Sequence, residues 1–337
     1  MKLFKYSELS NRFWQLDLFR GFVLLYMAFV NAYYALSKTQ SQWLSHDGAI
    51  MSAGDIIIVF FFSMIGFNLR LVRFFRKYED KNLLLYAFKR GTFIIFIGLL
   101  LISYSFFYSF GFYIIFRSFL TNLGIAMILT AGILFLIQNK QKYLLWLTLS
   151  GTLLMFFISW TPKGHYRFLN LSFLLTSFWG YLFAGWFLEN KNKFLKSILI
   201  YSVLCAFFAI VHYLISSEMP SRRNINASYI LISWGVISIS ISAFIHFFKT
   251  EKRFPLVALS GAHPLSFWII QSVIIGAFVV VSTLLKVYFE NLEIYSSIPA
   301  IPRNIENHTL AVIVSLTASL LCFFLHLLFI DFYRKKK

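Results

Sequence analysis

The chain has 337 residues, of which 59% are hydrophobic, 20% aromatic and only 13% charged, with a formal net charge of +18. Soluble domains average roughly 45–50% apolar and about 25% charged residues, so this composition excludes an ordinary water-soluble globule. The basic residues sit mostly in short loops between apolar runs. That pattern assigns the charge to membrane topology and anionic lipid contact and leaves no case for nucleic acid as a partner.

Ten apolar runs have spanning length, since about 20 helical residues cross a hydrocarbon core of about 30 Å. In chain order they cover approximately residues 16–37, 53–72, 87–108, 117–137, 143–160, 171–188, 195–216, 227–248, 264–286 and 309–332. The alternating pattern of a membrane barrel is absent, so helices are the expected spanning element. The expected fold class is an all-α polytopic membrane helix bundle of about ten transmembrane helices. No long polar insertion divides the runs, and a single integral membrane domain over 1–337 is the simplest organisation. The first run is preceded by Lys2, Lys5 and Arg12 but is long and lacks a convincing cleavage site, so it reads as a retained first helix.

Orientation follows from the distribution of the 31 Lys and Arg residues. With a cytoplasmic N-terminus, only Lys38, Arg117, Lys163, Arg167, Arg222, Arg223, Lys286 and Arg303 fall on the outer side. Both termini are therefore expected in the cytoplasm, and Trp43 and Trp160 at the outer interface. The two cysteines, Cys205 and Cys322, lie inside apolar runs and offer neither metal-ligand spacing nor a disulfide framework.

Ionisable residues inside spans are costly and usually face a partner or a cavity. Asp17 and Arg20, three residues apart at the start of the first run, can pair on a helix. Asn31 lies eleven residues beyond Arg20, about 20° from its direction and about 16 Å further along the axis. The three mark one polar stripe, and a packing bridge explains them as well as a functional one does. His46, Asp47 and Asp55 cluster on the outer side, with Asp55 opening an Ile- and Phe-rich run. Histidine suits proton transfer near neutral pH, although a loop histidine is more often bland. Gly261-Ala262-His263-Pro264-Leu265 precedes the ninth run, with Gln271 further in, and reads first as a turn before a helix. Arg117, Arg167, Arg222 and Arg303 form a loose outer set suited to an anionic or sugar ligand, unless they are only solvated loop cations. No phosphate-binding Gly-rich loop, nucleophile elbow or zinc-binding helix motif is present.

These segments resemble the heparan-α-glucosaminide N-acetyltransferases and their bacterial relatives, within the wider membrane acyltransferase superfamily. The opening Arg12-Phe13-Trp14-Gln15-Leu16-Asp17-Leu18-Phe19-Arg20-Gly21 and Asn31 match the start of that family. His46 with Gly48, then Asp55, then Phe60-Phe61-Phe62-Ser63-Met64-Ile65-Gly66 follow its order. Lys89-Arg90-Gly91 with Gly98 is similar to its third-span start, and Trp179-Gly180-Tyr181-Leu182-Phe183-Ala184-Gly185 to its later Trp and Gly motif. Gly261 to Leu265 resembles a C-terminal motif of the superfamily.

The resemblance implies a membrane acetyl- or acyltransferase that moves an acetyl group from cytoplasmic acetyl-CoA to an amine or hydroxyl of a cell-surface or lipid-linked glycan. It makes His46 the expected general base or transient acyl carrier and Asp55 its charge partner. Arg20, Asp17, Asn31 and His263 become the expected donor-binding residues, and Arg117, Arg167, Arg222 and Arg303 the acceptor-binding ones. Acetyl-CoA is the expected donor substrate with no metal, and membrane lipids and a glycan or glycolipid are the expected partners. A bacterial cytoplasmic membrane is the expected location. The oligomeric state is left open, a homodimer being one option. An O-acyltransferase of surface polysaccharide and a glycolipid flippase or other transporter are the alternative readings.

Overall fold

The computed structural model describes residues 14–36, 51–106, 119–158, 169–189, 194–217, 220, 226–248, 254–275, 277 and 308–335. Among them are eleven helices and no strand. In chain order these are α1 (Trp14–Leu36), α2 (Ala53–Arg76), α3 (Asp80–Phe106), α4 (Phe119–Leu136), α5 (Gln141–Ile158) and α6 (Leu169–Glu189). They continue with α7 (Phe194–Ser216), α8 (Ala227–Phe247), α9 (Pro255–Ala262), α10 (Pro264–Ile275) and α11 (His308–Lys335).

Each of the ten expected spans meets a helix. Seven of these helices (α1, α2, α3, α4, α7, α8 and α11) are long and apolar enough to cross a membrane, or eight spans if the bent α9–α10 pair counts as one. Large apolar side chains on the outer surfaces of the helices are exposed, among them Phe93, Phe96 and Leu100 on α3 and Leu199, Val203 and Phe207 on α7. An apolar surface of this extent fits a lipid environment.

The ninth expected span begins as a helix at Pro264, within the described residues up to Ile275, and a short helix precedes it: α9 and α10 meet at His263 with a bend of 91°. The Gly261–Leu265 segment thus holds the turn expected ahead of the helix at Pro264, and the helix before it reaches back to Pro255. Pro264 is the physical reason, because its ring and missing N–H prevent α9 from continuing.

The chain forms two compact units. The first contains α1, Ser52–Gly54, the end of α8 from Ala243, and α9 to α11; the second contains Met51 and the described residues from Asp55 to Ser242. In the first unit, Trp14, Leu18 and Ala258 are buried together with Phe22, Phe244, Phe248 and Val257 around them. Further along α1, Ala32 and Tyr33 pack on Ala318 of α11. The second unit is held by close helix crossings. A β-carbon on Gly66 of α2 would overlap the Ser177 carbonyl oxygen of α6, and one on Gly180 would overlap that of Ser63. This small-residue contact lets Phe62 stack on Phe173 at 4.1 Å and 3°. Ser177 also donates to the Phe62 carbonyl at 3.0 Å.

Candidate active site

In α1, Arg20 Nη1 lies 2.8 Å from Asp17 Oδ1, with side-chain exposures of 12% and 3%. The three-residue spacing brings the two onto one helix face, and burial makes the pairing necessary, because an unpaired charge here would be strongly destabilising. The pair sits on a tight crossing. A β-carbon on Gly261 would overlap the Asp17 carbonyl oxygen and lie 2.6 Å from the Gly21 nitrogen, and one on Gly21 would overlap the Val257 carbonyl. The Arg-Gly motif of α1 and the C-terminal Gly261 motif, 240 residues apart in sequence, are thus one structural feature. Neither glycine tolerates a side chain.

His263 occupies the break two residues beyond that crossing. Its N–H donates to the Ser260 carbonyl at 3.1 Å, and its own carbonyl accepts from Ser266 Oγ at 2.9 Å and from the Phe267 N–H at 3.3 Å. His263 therefore follows the end of the helix that crosses α1 at Asp17 and Gly21. Asn31 is half-buried on the same helix, one polar position nearer its C-terminal end.

His326 of α11 carries no motif and escaped the sequence reading. It is fully buried, with Nε2 2.8 Å from Ser266 Oγ and Nδ1 3.2 Å from Ser260 Oγ. It thus ties the α9 arm to the α10 arm across the bend, and Phe267 lies edge-on to its ring at 5.2 Å. A buried histidine in a long apolar helix is the signal that could have found it. Gln271, further along α10, is 2% exposed.

In the second unit, Asp55 is fully buried in the first turn of α2, where a carboxylate complements the helix dipole. Its backbone carbonyl accepts from Tyr229 Oη of α8 at 2.7 Å. His46 and the four outer arginines, Arg117, Arg167, Arg222 and Arg303, lie outside the described residues.

A polar network at the opposite end of α2 was also missed. Arg73 pairs with Asp80 at 2.8 Å, and Asn139 in the α4–α5 turn donates to Asp80 at 3.1 Å. Tyr181 Oη donates to the Asn139 side-chain oxygen. Arg70 Nη1 reaches Tyr181 Oη at 3.4 Å, and its Nη2 lies 3.4 Å from Glu189. Asn139 holds φ 56, a left-handed conformation that asparagine accepts more readily than most residues. Four parts of the fold are joined by this chain of contacts.

Comparison with known proteins supplies the family. The model of the heparan-alpha-glucosaminide N-acetyltransferase catalytic domain matches residues 12–194, more than half of the chain. The matched region carries the Asp17–Arg20 pair, Asp55 and the Arg70–Tyr181 network, while the α9–α10 break and His326 lie beyond it. Comparison with curated proteins gives no match. Its helices are those of an integral membrane protein, and the chain belongs to the heparan-alpha-glucosaminide N-acetyltransferase catalytic-domain family, a family of acyltransferases.

Proposed function

We propose that the protein transfers an acetyl group from cytoplasmic acetyl-CoA to an amine or hydroxyl of a cell-surface or lipid-linked glycan on the outer side of a bacterial cytoplasmic membrane. The observation that carries the reading is the Asp17–Arg20 pair, seated on the Gly21–Gly261 crossing beside the His263 break, in a chain of this family. A buried, oriented guanidinium suits a donor phosphate or a developing oxyanion. In the reaction, His46 takes the proton of the acceptor amine or hydroxyl as its N or O attacks the thioester carbonyl carbon. The C–S bond breaks, the acetyl group stays on the acceptor, and the CoA thiolate leaves and is protonated. Asp55 balances the charge on His46.

Purified protein supplied with labelled acetyl-CoA and amino sugars should form labelled acetyl-sugar, and His46→Ala should abolish it. Full transfer by His46→Ala would remove that residue from the mechanism. Parallel amine and hydroxyl acceptors separate N- from O-transfer.

One observation favours transport as a second reading, since transporters build substrate sites at broken helices such as α9–α10. Binding of CoA by the protein, followed by turnover, would argue for acyl transfer over transport.

A further inference from the structure

We infer that Arg70 is the anchor of a phosphate-binding site that Glu189 occupies in the absence of ligand. Arg70 lies on α2 one and a half turns before the helix ends, with its guanidinium against Gly185 of α6. A β-carbon at Gly185 would stand 3.3 Å from Nε and 3.4 Å from Nη2, so this glycine provides the room in which the guanidinium lies. Its side chain is 17% exposed, and Nε is buried with no acceptor among the described residues.

Glu189 is a weakly held counter-ion. Its carboxylate is 57% exposed and 3.4 Å from Nη2, whereas charge-assisted hydrogen bonds close to about 2.7–2.9 Å. It is also the last residue of α6, where the helix dipole disfavours a negative charge. The Gln141 side chain, at the start of α5, turns its amide oxygen to Arg70 and accepts from Nη1 at 3.2 Å and from Nη2. The Arg70 guanidinium is therefore met by a neutral amide and a loosely held carboxylate, which an oxyanion of higher charge can displace.

The surroundings are cationic. Arg73 and Arg76 follow on α2, Lys77 and Lys140 stand in the α2–α3 and α4–α5 turns, and Lys142 opens α5, with Glu79 and Asp80 as the acidic residues of these segments. Asp80 is already engaged by Arg73 and Asn139. A phosphate carries more charge and more acceptor oxygens than a carboxylate, so it displaces Glu189 toward solvent and takes Nη2.

The phosphate comes either from the acyl donor or from an anionic lipid headgroup. The donor source rests on the function proposed above. The experiment uses the full chain in phosphatidylcholine nanodiscs, as wild type, Glu189→Gln and Arg70→Gln. CoA binding is measured by calorimetry. Retention of phosphatidylglycerol, added to a second set of nanodiscs, is measured by native mass spectrometry.

Removing the competing carboxylate should tighten phosphate binding about three- to tenfold, and Arg70→Gln should weaken it about tenfold. A gain for CoA assigns the site to the donor, and a gain for phosphatidylglycerol alone assigns it to lipid. Glu189 is exposed, so its variant remains a fair test where Arg70→Gln misfolds. Unchanged affinity for both ligands in Glu189→Gln overturns the site, even where acetyl transfer is intact. If no variant binds CoA but Glu189→Gln tightens lipid, the site stands and the donor reading falls.

Discussion

Gly21 of α1 and Gly261 of α9 meet backbone to backbone, so that a β-carbon on Gly261 would lie 2.6 Å from the Gly21 nitrogen and would overlap the carbonyl oxygen of Asp17. This contact seats the Asp17–Arg20 pair against the helix break at His263. Close approach of this kind is how helices associate in lipid, where apolar burial drives little and van der Waals contact drives more.

Gly261→Val should therefore separate α1 from α9. The expected cost is about 1–3 kcal/mol or more, in line with overpacking of a tight site. Thermal unfolding in detergent should show a lowered midpoint, and acyl transfer should fall with it. Gly132 is a suitable control, because a β-carbon there meets nothing within 4 Å, and Gly132→Ala should leave both unchanged.

Breaking the buried ion pair has an asymmetric cost. Asp17→Asn leaves Arg20 charged and without its carboxylate, and should destabilise by about 3–5 kcal/mol. The double variant Asp17→Asn/Arg20→Gln removes both charges and should recover part of that loss. A double-mutant cycle on unfolding in detergent measures the coupling. Additive single effects would show that the two residues do not act as a pair.

His326 joins the two arms of the bend at His263. Its two ring nitrogens meet a serine on each arm, at 2.8 Å and 3.2 Å. His326→Ala leaves the buried Ser260 hydroxyl and the half-buried Ser266 hydroxyl without that partner and should cost about 1–3 kcal/mol. Amide exchange over residues 255–275 should rise more than exchange over the second unit. Equal protection in both variant and wild type would remove His326 from the support of the break.

Tyr181→Phe tests the network at the other end of α2. It removes the hydroxyl that Arg70 and Asn139 share, while the ring keeps its packing. The expected loss is about 0.5–1.5 kcal/mol. An unchanged unfolding midpoint would show that the network contributes little to stability.

The helices were legible because lipid imposes a strict rule on sequence. Backbone groups must pair within each span, so apolar runs of spanning length report the elements directly. The Asp17–Arg20 pair was equally local, since three-residue spacing on one helix suffices to predict it. The family motifs around residues 12–66 and 179–185 were readable as residue order alone.

Other features depended on which helices meet. Nothing near Gly21 in sequence names Gly261 as its contact, and Gly66 says nothing of Gly180. His326 stands in an ordinary apolar helix, and its role depends on two serines some 60 residues earlier that face it only after folding. Arg70 is one of several basic residues near the end of α2, and only the fold brings Gly185, Tyr181 and Glu189 around it. Composition and periodicity determine helices, their spans and their local pairs, because those follow from solvation along a single element. Helix-to-helix contact decided the histidine clasp across the break and the setting of Arg70, because side-chain contacts between distant segments leave no periodic trace in the chain.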